Sequence, residues 1–455
     1  MFKKNNLYIS LVLLHVILGV LIFIESKLAI LYGLAILSIG FLLILKTENR
    51  NNQVLYVAAY AVGSEVMLRM TGGYILYEIG KYSVIVYMIM GIYFSGFSRN
   101  SFPYWAFLLI LIPGIILGSS TLNLDTSVRK AIAFNISGPI CLGISALYCY
   151  QRNVTLKELD NILLCILLPI VSTITYLFLF APSVKEVVTG TDSNFSTSGG
   201  YGPNQVSTII GLGVFILFTR VIFYSQEKWT KMINVFMLLI FTFRGLVTFS
   251  RGGMICALVM IIFLIIILFN VVKTNSKYKI IKMIGFSIIT MSIIWGYSTL
   301  ETGGLINKRY ANEDAAGRVK ASRLSGREVI IEDEFNMFLE NPIMGIGVGK
   351  GKENRQEESK EIVGATHNEI SRMLAEHGSF GVLGLLILVL TPLALYVNNK
   401  QHIYMLALFT FWLLTINHAA MRLAAPAFVY ALSLLHIYGI EKQNIIIQED
   451  KLDEK

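Results

Sequence analysis

A neutral histidine at the head of a helix can take a proton from a hydroxyl, and the run Ala365-Thr366-His367-Asn368-Glu369-Ile370 sets one up. Thr366 with Glu369 three residues on has the form of a capping box, which predicts a helix starting there with His367 on its first turn. The positive end of the helix dipole disfavours imidazolium, so His367 reads as neutral and able to accept a proton near pH 7. A helix-end histidine that only packs or hydrogen-bonds is the plainer alternative. The complementary chemistry, holding an anion, belongs to arginines. Arg251 stands in Ser250-Arg251-Gly252-Gly253, a very short turn between two apolar runs, where a lipid phosphate would lie; snorkelling to bulk headgroups would explain it equally. Arg244 is two helical turns earlier on the same stripe and inside the membrane, where a charge faces the bundle interior or a polar cavity. A structural ion pair would account for it as well. Arg327, in Gly326-Arg327-Glu328, opens an amphipathic stretch running to Asn341 in which Ile331, Phe335, Phe338 and Leu339 recur at three- and four-residue spacing. Taken alone, it is more often a solvated charge.

Other motifs are weaker. Pro342 ends that helix, and Gly345, Gly347 and Gly349 at alternate positions permit a tight backbone path. Such a turn could approach a phosphate, but the strand context of a nucleotide-binding loop is missing. Ser198-Gly199-Gly200-Tyr201-Gly202-Pro203-Asn204-Gln205 precedes an apolar run that Asn204 can cap, leaving N–H groups for an anion; a flexible turn with an ordinary cap is the bland reading. Glu65 and Arg69, four apart, should pair on one helix face, first of all as a structural salt bridge. His418 and Arg422 repeat that spacing.

The elements that position these residues are membrane spans. The chain has 455 residues, 55% hydrophobic and 15% charged, with a mean hydropathy of +0.64. Soluble domains average about 25% charged residues, so an ordinary cytosolic enzyme and a disordered chain are both excluded. About fourteen runs approach the 20 apolar residues a span needs. They begin near Leu7, Leu28, Gln53, Tyr82, Tyr104, Ala131, Asn161, Asn204, Lys231, Met254, Met283, Phe380, His402 and Leu423, and the third, fourth and last two are the weakest. The first, Leu7 to Ile24, follows Lys3 and Lys4 but lacks a small-x-small cleavage site and reads as a retained helix.

The net charge of +9 fits loops held at the cytoplasmic face rather than nucleic acid, for which no recognition motif is present. With the N-terminus cytoplasmic, Lys46, Arg50, Arg99, Arg152, Lys157, Arg220, Lys228, Lys400, Lys442 and the cluster Lys273, Lys277, Lys279 and Lys282 fall inside. The outside loops keep Lys27, Lys81, Arg129, Lys130 and Lys185. Both termini are then cytoplasmic and two informative loops lie outside, about Ala181 to Pro203 and Leu300 to Gly378. The expected organisation is N-terminal spans 1–180, spans with the Gly-Pro-Asn and Ser-Arg-Gly-Gly motifs 181–300, an extracytoplasmic catalytic loop 301–378, C-terminal spans 379–440 and a cytoplasmic tail 441–455. The expected fold is all-α and polytopic, with about 12–14 transmembrane helices. Cys141, Cys149, Cys165 and Cys256 fall in apolar runs without metal-site or disulfide spacing.

In order and spacing style these motifs resemble the O-antigen ligase and O-antigen polymerase superfamily. The resemblance covers roughly Tyr201 to Leu390 and ends in His-Asn-Glu-x-x-x-x-Leu-x-Glu-x-Gly. It implies a membrane glycosyltransferase taking its donor from an undecaprenyl-pyrophosphate-linked glycan, with no metal and no other cofactor. Arg251 and Arg327 correspond to that family's pyrophosphate-binding arginines and His367 to its extracytoplasmic-loop histidine. Arg244 is outside the family pattern and joins them from its depth and spacing; Asn204, Glu65, Arg69 and Arg422 are supporting candidates. The implied partners are the lipid-linked donor, a glycan acceptor, membrane lipids and a chain-length regulator. Repeat-unit polymerase is the first expectation, ligase the second, and a lipid-linked oligosaccharide flippase the rival from another class.

Overall fold

The computed structural model describes residues 2–438 except 75, 124–125, 226, 273, 321, 323–326, 358–365 and 420. Lys273, Gly326, Ala365, Lys442 and the 441–455 tail lie outside the described residues.

Long apolar runs can satisfy their backbone groups in a membrane only as helices. Ten helices among the described residues are long and apolar enough to cross one, from Asn6–Ile24 to Ser379–Asn398. The protein is a polytopic helical membrane protein, and its one described ladder pairs Asn153–Val154 with His436–Ile437 in parallel. The four weakest of the expected runs account for the difference between these ten and the expected 12–14. Gln53–Met70 spends part of its length on Glu65 and Arg69, Ile79–Ser95 is short, and Met405–Thr415 and Ala424–Leu432 are shorter still. At about 1.5 Å per residue, the last two cannot cross a hydrocarbon layer. They are nevertheless almost wholly buried, so they pack inside the bundle rather than against lipid.

Small residues let the helices that carry the site approach closely. Helix Arg251–Val271 crosses Pro203–Phe223 where a Cβ on Gly253 would stand 2.1 Å from the Ser207 carbonyl oxygen and one on Gly211 2.2 Å from that of Gly253. The Ser-Arg-Gly-Gly motif is therefore a contact surface on its glycine side and a projecting charge on its arginine side. Ser207 Oγ donates to the Ser250 carbonyl at 2.8 Å and Ser250 Oγ to Asn204 Oδ1 at 2.8 Å, fixing the crossing. Asn204 does not cap its helix: Gly202 is the N-cap and Pro203 the first helical residue, since proline needs no N–H partner there.

Between Ile280–Glu301 and Ser379–Asn398 the chain forms the short helices Leu305–Tyr310, Arg327–Glu340, Lys350–Glu357 and Glu369–His377. The alternating glycines clasp this segment to the bundle. Ile346 N donates to the Ala375 carbonyl (2.8 Å), Val348 N to that of Gly114 (2.9 Å) and Gly349 N to Glu376 Oε1 (2.9 Å). Gly347 has φ +93°, and a Cβ there would lie 2.5 Å from the Gly118 nitrogen. The N–H groups of Ile346, Val348 and Gly349 are thus taken up by two carbonyls and a carboxylate of the protein. Gly347→Ala should destabilise the protein by about 1–3 kcal/mol through left-handed strain alone, with more from the clash. Thermal unfolding in detergent checks this; an unchanged Tm would contradict it.

Candidate functional site

Where the turn at residues 366–368 meets the heads of Arg251–Val271 and Arg327–Glu340, the structure brings four arginines and two histidines together. Arg251 is the first residue of its helix and its Nη1 reaches the Arg309 carbonyl at 3.4 Å. Arg309, on the short helix Leu305–Tyr310, donates from Nε to the Phe249 carbonyl (2.8 Å) and from Nη2 to Ser193 Oγ (3.3 Å). Arg327 Nη1 donates to the His418 carbonyl (3.1 Å), and Arg422 Nη2 to that of Thr366 (2.8 Å). These acceptors, all but Ser193 Oγ backbone carbonyls, orient the guanidinium groups.

Mutual repulsion is the electrostatic signature of the cluster. Burial, then Arg251 among other neighbours, lowers the pKa of Arg309; burial, then Arg422, lowers that of Arg327. Cations held this close attract an anion.

His367 sits in this field. Burial first, then Arg422, Arg327 and His418, push it down to about 3, so the imidazole is neutral throughout the physiological range. Its Nδ1 is buried without a hydrogen-bond partner among the described residues. Sequence reading expected the neutrality but gave the wrong cause. Thr366 is not the cap: Asn368 is, its Oδ1 accepting from Ile370 N (2.9 Å) and Ser371 N (3.2 Å). The helix begins at Glu369, one residue past the cap, so His367 precedes it rather than riding on its first turn. Thr366 fails as cap because its hydroxyl donates elsewhere, to Glu334 Oε2 at 3.1 Å.

Glu334 was not singled out by its sequence. Its carboxylate is buried on the inner face of the Arg327 helix, accepts from Ser371 Oγ at 2.6 Å as well, and faces Arg355 Nη1 at 3.6 Å. One side chain therefore ties both flanks of the His367 turn to the helix that carries Arg327. Burial pushes its pKa up to about 7, with the two hydroxyls and Arg355 pulling the other way. Arg309 was not singled out either, and His418 was placed among the weaker motifs. His418 bridges the Leu414 carbonyl (3.0 Å) and Thr208 Oγ1 (3.1 Å), and burial pushes it down to about 4. The Lys308-Arg309 pair after a span was the available signal for the former; the latter had none beyond its spacing to Arg422.

The remaining candidates lie elsewhere. Arg244, expected on the anion, is fully buried and donates to the carbonyls of Leu177 (2.6 Å), Ala181 (3.3 Å) and Thr197 (3.3 Å). It braces the 177–197 segment: spanning depth demanded partners, and backbone carbonyls supply them. Glu65 and Arg69 pair at 2.7 Å, both buried, and Glu65 Oε2 caps the Ala424 helix by accepting from Ala424 N at 2.7 Å. Arg69 lies 4.2 Å over the Tyr77 ring, Tyr77 stands 6.5 Å from Phe134, and Arg422 lies 5.5 Å from Phe134. The pair thus supports the position of Arg422 through two rings.

Residues 235–386 match the Wzy_C family, described as O-antigen ligase. The matched stretch holds Arg251, Arg309, Arg327, Glu334 and His367, and it supports the O-antigen ligase and polymerase superfamily that the motif order resembles. No curated protein matches the chain significantly.

Proposed function

We propose that the O-antigen ligase-type domain belongs to a polysaccharide repeat-unit polymerase of the O-antigen or capsule type, acting at the outer face of a bacterial cytoplasmic membrane with both termini inside. The donor is an undecaprenyl-pyrophosphate-linked glycan and the acceptor a second one. What carries the reading is the cluster of Arg251, Arg309, Arg327 and Arg422 beside a neutral histidine on which Arg327 and Arg422 act directly.

The chemistry follows from the parts. An acceptor hydroxyl oxygen attacks the anomeric carbon, the bond from that carbon to the pyrophosphate oxygen breaks, and the lipid pyrophosphate leaves with the electron pair. Arginine forks match phosphate oxygens bidentately and stabilise the charge that develops there. His367 takes the hydroxyl proton. Burial and its cationic neighbours suppress its basicity. A bound pyrophosphate offsets the cations, so the donor itself raises the basicity of the histidine. No general acid is needed, because pyrophosphate is already a good leaving group, and neither metal nor nucleotide enters. Single displacement inverts the anomeric centre; a product with retained configuration would contradict it.

The ligase reading is favoured by the family description itself. Purified protein given lipid-linked repeat units alone separates the two. A ladder of products spaced by one repeat unit is expected. A single transferred product, formed only when a different acceptor is added, would replace polymerase by ligase.

A further inference from the structure

The Arg327–Glu340 helix is amphipathic as its spacing predicts, but it is turned over. Its buried face is Ile330, Asp333, Glu334 and Met337, whereas Phe335 and Leu339 are 47% and 58% exposed. A soluble loop would bury Phe335 and Leu339 and hydrate Asp333 and Glu334. The carboxylates point inward because Glu334 holds the His367 turn, which leaves the apolar stripe outward. One shoulder of that stripe carries exposed Glu332, Asn336 and Glu340. An apolar groove of about 500 Å³ between this helix and Glu369–His377 opens beside the stripe, lined by Ile331, Phe335, Ile370 and Leu374 among others.

The surroundings identify what covers the stripe. After the helix the chain continues through Ile343 and Met344, 68% and 52% exposed. The carbonyls of Pro342 and Ile343 accept from Ser379 N at 2.7 and 3.1 Å, and Ser379 is the first residue of the membrane-crossing helix Ser379–Asn398. That helix shows Leu383, Leu386 and Leu390 on its own exposed side. The outward apolar surface of the loop is therefore joined, by direct hydrogen bonds, to the end of a surface that faces lipid.

We propose that Arg327–Glu340 is an interfacial helix. Its stripe Ile331, Phe335 and Leu339, continued by Ile343 and Met344, lies in the acyl boundary of the leaflet where Ser379–Asn398 ends, with Glu332, Asn336 and Glu340 toward water. Helices of this kind sink about 5–10 Å below the headgroups. Arg327, at the head of the helix, is then held at the level of lipid phosphates, and so is the arginine cluster. The bilayer itself sets the depth of the site, and a donor reaching it by lateral diffusion meets the arginines without leaving the leaflet.

The test uses the full chain in donor-free proteoliposomes, with a small environment-sensitive fluorophore on Phe335→Cys, on Glu332→Cys and, as a reference, on Leu386→Cys. Expected is loss of emission at 335 and 386 with brominated phospholipids and loss at 332 with aqueous iodide. Equal iodide quenching at 335 and 332, with no effect of the brominated lipid at 335, would overturn the proposal. So would protection at 335 that appears only as the protein-to-lipid ratio rises, which would mean that a second copy covers the stripe. Carbene photolabelling of the unmodified chain from within the bilayer provides a readout free of substitutions: labelled peptides spanning 331–344 are expected, and their absence while Ser379–Asn398 is labelled would overturn it. Neither readout depends on catalysis, so failure here leaves the glycosyltransferase reading standing, and the reverse holds too.

Discussion

His367→Ala should lower turnover by about 100- to 10,000-fold, the range lost with a general base, while leaving donor binding nearly intact. The imidazole reaches the reaction through a nitrogen, and no described side chain relies on its Nδ1, so the substitution removes a proton acceptor without cutting a structural hydrogen bond. The pH profile should carry the same signature. A lowered pKa keeps His367 neutral down to about pH 3 without donor, and because a bound donor raises that pKa, donor binding should tighten as pH falls through the raised value. With pyrophosphate bound the pKa rises, and an acid limb appears in turnover and moves upward as the donor saturates the site. Wild-type and His367→Gln proteins compared for donor binding and single-turnover rate check both statements. A variant that turns over normally would remove His367 from the chemistry.

The second large effect concerns the arginines. Arg327→Ala and Arg251→Ala should each cost about 100- to 1,000-fold in turnover, the range for a preorganised donor to developing charge. Arg327→Lys should recover little, because a point charge cannot reproduce the two-pronged fork or hold the His418 carbonyl in the same geometry. Arg244→Lys is the contrasting case. It strips a brace on three carbonyls, so it should reduce the yield of folded protein, and what folds should retain its donor affinity. Donor titration on detergent-purified variants separates these outcomes; equal loss of donor binding in Arg244→Lys and Arg327→Lys would return Arg244 to the site.

Motif order was legible because each motif has a local physical job. Gly253 is where two helices touch, Gly347 is where the loop clasps the bundle, and Arg251 and Arg327 are each the first residue of a helix. The extent of the Arg327 helix was legible too, since proline after Asn341 closes it. Which side of that helix faces inward was not, because periodicity gives the width of an apolar stripe and not what lies opposite. Glu334 looked like any solvated loop carboxylate; only the fold brings Thr366 and Ser371 onto it from more than thirty residues away. The same distance problem hid the true cap, since nothing local says that the Thr366 hydroxyl is already engaged. Arg244 finds backbone partners for a physical reason. Depth tells that a charge must have partners, and buried carbonyls meet that need as well as a phosphate does. The short buried helices Met405–Thr415 and Ala424–Leu432 read as spans because apolar content does not distinguish packing against protein from packing against lipid.

Making a glycosidic bond at the expense of a carbon–pyrophosphate bond leaves two products in equal amount. The most direct measurement counts both on one sample: purified protein with lipid-linked repeat units from its own host, no metal or nucleotide added, released lipid pyrophosphate assayed against new glycosidic linkages. One lipid pyrophosphate released per linkage formed, with both lost together in His367→Ala, is the predicted result. No release and no new linkage, with the lipid-linked glycan crossing liposomes equally well in both proteins, would contradict it and leave a flippase in its place.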